Sequence, residues 1–150
     1  MLRDEIKSAQ LAAMKAGDKP RLNAVRLILA KLKDRDIELR TASQVPEDDT
    51  LVVEVLQKMG KLRRESITLY EQGGRQELAD AEKAEMAVIE SFMPAQMSEV
   101  ETAAAIEAIK AELGASTVKD MGRVMAELKS RHGSQLDMSK ASGLVKAALN

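Results

Sequence analysis

The chain has 150 residues and a net charge of −1, with 23 Lys/Arg against 24 Asp/Glu. That balance excludes a polycation gripping nucleic acid indiscriminately. Apolar residues make up 45% and aromatics 1%, with no cysteine. The core must therefore be Leu, Ile, Val, Ala and Met, base stacking has little to work with, and thiol chemistry, disulfides and Cys-held metals are ruled out.

From the start, Leu2, Ile6, Ala9 and Ala13 recur at helical spacing, and Gly17 ends that helix. The opening lacks the long apolar run of a signal peptide, so a cytoplasmic protein with no membrane partner is expected. Asp18 and Pro20 open a second helix striped by Leu22, Val25, Ile28, Leu29 and Leu32, with Arg21 off that stripe. Residues 41–49 are a polar connector whose acidic end suits a helix start. The third helix turns Val52, Val55, Leu56, Met59 and Leu62 inward and reaches Tyr70 before Gly73 and Gly74 break it. A fourth, with Leu78, Met86, Ile89, Phe92 and Met93 inward, stops ahead of Pro94.

Beyond Pro94 the pattern restarts. Ser98 and Glu101 make an S-x-x-E start for a helix carrying Ile106, Ile109 and Leu113, ended by Gly114. Thr117 and Asp120 make a second start ahead of Met121, Val124, Met125 and Leu128. Gly122 inside that helix costs about 1 kcal/mol relative to Ala, which predicts close approach of a neighbouring helix or a ligand. Gly133 ends the helix, and Asp137 or Ser139 caps a last one carrying Leu144, Val145 and Ala148. The reading is all-α: an N-terminal bundle of about four helices over residues 1–95, then a small three-helix domain over 96–150.

Charge is uneven. Residues 1–40 hold ten Lys/Arg and six Asp/Glu, residues 41–100 six and twelve, and residues 101–150 seven and six. In the acidic middle, Glu77, Asp80, Glu82, Glu85 and Glu90 read as a solvated face with ion pairs three or four residues apart. A bundle di-metal site would need Glu-x-x-His motifs on converging helices. Neither a metal site nor a cofactor site is predicted. His132, the sole histidine, sits at a helix end, where a cation suits the dipole better than it suits general-base duty.

Two basic groups remain. Lys61, Arg63 and Arg64, beside Lys58 and partly balanced by Glu65, form either a solvated helix face or an anion contact. Lys119, Arg123, Lys129, Arg131, Lys140 and Lys146 form either surface charge or a face for an RNA phosphate backbone. No catalytic residues are assigned: P-loop, dinucleotide and nucleophile-elbow motifs are missing.

Several pieces in order resemble the YqeY family, which shares its helical domain with the tail of GatB, a subunit of the tRNA-dependent amidotransferase. They are Arg63-Arg64-Glu65-Ser66 with Tyr70, Gly74-Arg75 with Leu78, Glu82 and Glu85, and Phe92-Met93-Pro94 with Gln96. Gly114-Ala115 and the run Lys119-Asp120-Met121-Gly122-Arg123-Val124-Met125 complete the set. One departure is the turn Gly133-Ser134-Gln135-Leu136-Asp137-Met138, which lacks the Arg and second Gly of the family's G-R-A-D-G-like turn. The resemblance implies an N-terminal bundle, a three-helix C-terminal domain and contact with the body of tRNA. It also implies a kinship label of carbon–nitrogen ligase with glutamine as amido donor. Three readings stay open: a tRNA- or RNA-associated accessory module, a module docking on an aminoacyl-tRNA enzyme or amidotransferase, and an enzyme in its own right.

Overall fold

The computed structural model describes residues 1–150, the side chain of Ser134 excepted. Helices and short 3-10 turns account for all the regular structure among the described residues, and two compact units cover Met1–Met93 and Pro94–Asn150. Among the described residues no helix is long and apolar enough to cross a membrane.

In the first unit α1 (Leu2–Ala16) ends where Gly17 takes φ 68, a left-handed conformation that glycine adopts without a Cβ clash. Then α2 (Lys19–Glu38) starts where the Asp18 carboxylate accepts the Arg21 N–H at 3.2 Å, with Pro20 in its first turn. A 3-10 turn (Leu39–Thr41) and a polar stretch lead to α3 (Asp48–Gln72), which begins with two acidic residues facing its positive end. At Gly74 the chain passes through φ 71 into α4 (Gln76–Phe92), which stops ahead of Pro94.

The stripes predicted on these helices meet in one core. Ile6, Val25, Ile28, Leu32, Val52 and Leu56 are essentially sealed from water, and Ile89 and Phe92 close it from α4. Each such side chain contributes about 1.5–3 kcal/mol by leaving water. Arg21 is not free of this core: its guanidinium lies 5.7 Å from the centre of the Phe92 ring. The start of α1 is clasped as well. The Leu2 N–H donates to Asp49 at 3.0 Å, while Arg3 donates to Asp36 at 2.9 and 3.0 Å and to Asp48 at 2.9 Å.

Two predicted core residues fall elsewhere. Leu62 is 54% exposed and Leu78 is 41% exposed, while Ala79 is fully buried. The reason is length. The halves of α3 and α4 nearest their connecting turn run past the four-helix core, and between Arg63 and Glu85 Ala79 is the one fully covered residue among the described residues. This two-helix arm is held by ion pairs instead. Arg63 donates to Glu82 at 2.8 Å and pairs with Glu85, and Lys83 pairs with Glu71 at 2.6 Å. Closer to the core, Gly60 lets Met86 press against α3: a Cβ there would lie 3.3 Å from the Met86 methyl. The close approach predicted at Gly122 is found here, at Gly60. Nothing lies within 4 Å of a Cβ built on Gly122.

The second unit holds α5 (Glu99–Leu113), α6 (Met121–His132) and α7 (Met138–Ala148), with 3-10 turns at Val118–Asp120 and Gly133–Gln135. Ser98 Oγ accepts the Glu101 N–H at 3.1 Å, and the Asp137 carboxylate accepts the N–H groups of Ser139 and Lys140 at 3.0 and 3.3 Å. Ile106, Ile109, Val124, Leu128, Leu136 and Val145 form its core. Lys110 crosses from α5 to donate to the Ala148 carbonyl at 2.8 Å, satisfying an acceptor at the end of α7.

Candidate nucleic-acid interface

The positive charge of the second unit is concentrated late in the chain. Residues 119–150 hold six Lys/Arg against three Asp/Glu. Lys119 sits in the 3-10 turn before α6, Arg123, Lys129 and Arg131 lie on α6, and Lys140 and Lys146 lie on α7. All six are exposed.

They do not form one face of free cations. Arg123 donates to Asp120 at 2.6 Å. That carboxylate also accepts the N–H groups of Ser116 and Thr117 at 3.0 and 3.3 Å, which shapes the turn into α6. With the Arg123 bond as the main cause and the two backbone bonds behind it, its pKa is drawn down from 3.8 to about 2. Arg131 donates through Nε to Glu127 at 2.8 Å and through its other end to Glu112 on α5. The guanidinium lowers the Glu112 pKa by that hydrogen bond and by its charge.

At about 100° per residue, Arg123 and Arg131 stand about 80° apart on α6, and Lys129 lies about 120° round from Arg123. Lys140 and Lys146 are likewise about 120° apart on α7. Lys119, Lys140 and Lys146 join no ion pair among the described residues. Their three ammonium groups are what this surface offers a polyanion without breaking an ion pair. The Glu112 partner of Arg131 lies 19 residues away on another helix, and no local sequence signal announces such a pair.

The second basic group divides too. Lys61 and Arg64 are exposed on α3. Arg63 turns inward, its side chain 16% exposed and committed to Glu82 and Glu85, and its Nε is buried without a hydrogen-bond partner among the described residues. An anion reaching Arg63 would have to displace two carboxylates, so its role is to brace α3 against α4. Of the acidic stretch, Glu82 and Glu85 are tied across helices to Arg63, while Glu77, Asp80 and Glu90 are exposed, as a solvated face requires. Three or more His, Asp or Glu side chains arranged to hold a metal ion are not found among the described residues. His132 is the last residue of α6.

Altered inheritance of mitochondria protein 41, mitochondrial, from Eremothecium gossypii is 30% identical to this chain over 132 residues. The match covers 88% of this chain and 61% of that protein, so the chain spans about three fifths of the relative's length. Residues 3–149 match the family described as Yqey-like protein. Nearly every position lies inside that match, and the chain belongs to the YqeY family.

Proposed function

We propose that this protein is a tRNA-associated accessory module that engages the phosphate backbone through its second unit. The observation that carries the reading is the exposure of Lys119, Lys140 and Lys146, outside any ion pair among the described residues, on the part of the unit with surplus positive charge. A compact ammonium on a flexible stem suits a phosphate oxygen and carries no sequence information. The near absence of aromatics fits recognition by shape and charge rather than by base stacking. Carbon–nitrogen ligase chemistry, with glutamine as amido donor, belongs in this reading to the enzyme the module serves. A cytoplasmic setting goes with that partner.

The test is a fluorescence-anisotropy titration of tRNA across salt concentrations. The wild type binds at low salt, with affinity falling linearly in the logarithm of salt. Replacing Lys119, Lys140 and Lys146 by Ala flattens that slope by about 0.7–0.9 for each phosphate no longer neutralised. No binding at low salt, or a slope untouched by the triple substitution, overturns the reading. A second reading, docking on an aminoacyl-tRNA enzyme or amidotransferase, is favoured by Val100 and Val118, two exposed apolar side chains of the same unit. Pull-down of such an enzyme, lost on Val100→Glu, is its test.

A further inference from the structure

The outer face of the α1–α2 pair carries charge that neither the core nor the RNA reading uses. On α2, Lys19, Arg26 and Lys33 are spaced by seven residues. That spacing drifts only about 20° per step, so the three stand in one row over about 21 Å of helix. On α1, Lys7, Leu11, Met14 and Lys15 recur at i, i+4, i+7 and i+8. All seven side chains are exposed, Leu11 by 58% and Met14 by 51%. The five cations join no ion pair among the described residues.

Helix phase puts both rows on one side of the unit. Leu2, Ile6 and Ala13 are the buried residues of α1, and Val25, Ile28 and Leu32 are among those of α2. Each row lies about 145° round from the buried residues of its own helix. The two helices run antiparallel through the turn at Gly17, and Arg3 of α1 reaches Asp36 of α2. Counting back from that pair sets Lys7 level with Lys33, and Leu11 and Met14 level with residues 25–29, beside Arg26. Two exposed apolar side chains are thus ringed by five cations. The acids on this face are Asp4 at one end and Asp18 at the other, whose carboxylate caps α2. Glu5 and Asp34 turn to its flanks.

Cations alone suit any polyanion, and the apolar side chains among them narrow the choice. A phosphate backbone would answer the cations and leave Leu11 and Met14 in water. The headgroup boundary of an anionic bilayer answers both, and two helices side by side match its plane. We infer that the α1–α2 pair lies on membranes rich in anionic phospholipid, with Leu11 and Met14 entering the headgroup boundary and the five cations meeting the headgroups. The lack of a spanning helix among the described residues bears on crossing a bilayer, and lying on one requires none. This inference does not depend on the RNA reading, whose cations belong to the other unit.

Cosedimentation of the full chain with vesicles tests it, comparing phosphatidylcholine alone with about one phosphatidylserine to two phosphatidylcholine. The wild type pellets with the anionic vesicles and stays in solution with the neutral ones. Replacing Lys19, Arg26 and Lys33 by Ala weakens binding by on the order of a hundredfold, at about fivefold per cation. Leu11→Ser with Met14→Ser leaves the charge intact and still weakens it by on the order of tenfold. Both variants keep the far-ultraviolet circular dichroism of the wild type, since every substituted side chain is exposed. Replacing Lys119, Lys140 and Lys146 by Ala removes the same charge from the second unit and leaves vesicle binding near wild type. No binding to anionic vesicles, equal binding to neutral ones, or indifference to the Leu11 and Met14 changes overturns the inference. So does an equal loss from the two triple substitutions, or a loss of tRNA affinity in the α2 variant as large as its loss on vesicles.

Discussion

Arg63 in the first unit and Arg131 in the second are assembled from the same parts. Each guanidinium crosses between two helices, and each holds two glutamates: Glu82 and Glu85 for Arg63, Glu112 and Glu127 for Arg131. They differ in water. The Arg63 side chain is 16% exposed and that of Arg131 37%. A cation removed from a shielded pair strands its carboxylates without solvent or counterion. A cation removed from a wet pair hands them back to water at little cost. The first clamp is therefore a brace, and the second can exchange its carboxylates for other anions.

The largest effect that separates the two clamps is on stability. Arg63→Ala is expected to lower the unfolding free energy by about 2–3 kcal/mol, below the figure for a fully buried pair because Glu82 and Glu85 keep partial access to water. Urea denaturation followed by circular dichroism measures it. Arg63→Met combined with Glu82→Gln and Glu85→Gln recovers most of the loss, since no charge is then left stranded. Arg131→Ala leaves the urea midpoint where it was. Equal losses at the two sites would erase the distinction between brace and exchangeable clamp.

A second contrast sets Gly60 against Gly122. Both lie inside helices, where Gly costs about 1 kcal/mol relative to Ala. Gly122 is exposed and has nothing within 4 Å of a Cβ, so Gly122→Ala is expected to stabilise by about 0.5–1 kcal/mol. At Gly60 the same propensity gain meets the Met86 methyl at 3.3 Å. Met86 can yield through its flexible chain, so Gly60→Ala is expected to come out within about 0.5 kcal/mol of neutral. Thermal melts of the two variants decide it. A larger gain at Gly60 than at Gly122 would mean that Met86 is not seated on α3.

The difference between these glycines also marks what the sequence made legible. Helix starts and stops were readable because they are local: Asp18, Ser98 and Asp137 accept from N–H groups two or three residues on, and Gly17 and Gly114 close their helices at φ 68 and 65. The core stripes were readable because helical period and apolarity agree over several turns. Leu62 and Leu78 misled because periodicity says which face a residue occupies and not whether another element covers that face. The close approach at Gly60 depends on Met86, 26 positions away, and so does not register in a window around either residue. The basic candidates failed to stay together for the same reason: Glu82 and Glu85 claim Arg63, and Glu112 claims Arg131, each across a helix boundary.

Asp120 carries the smallest effect and the one closest to the candidate site. Its carboxylate accepts from Arg123 and from two backbone N–H groups, and its pKa falls from 3.8 to about 2. The unfolded chain lacks these bonds and titrates at the ordinary value. A carboxyl with a folded pKa below its unfolded one binds fewer protons when folded. Its contribution is therefore complete above about pH 4 and is lost as pH falls through the folded pKa. The stability difference between wild type and Asp120→Asn should thus persist at neutral pH and fade toward pH 2. Carboxyl carbon NMR reads the titration directly, and Arg123→Ala should raise its midpoint, because the Arg123 bond is the largest cause of the shift. A midpoint unmoved by Arg123→Ala would mean that Arg123 is not held by Asp120. It would then stand beside Lys119, Lys140 and Lys146 as a fourth free cation, and the phosphate-binding capacity of the second unit would be larger by that one group.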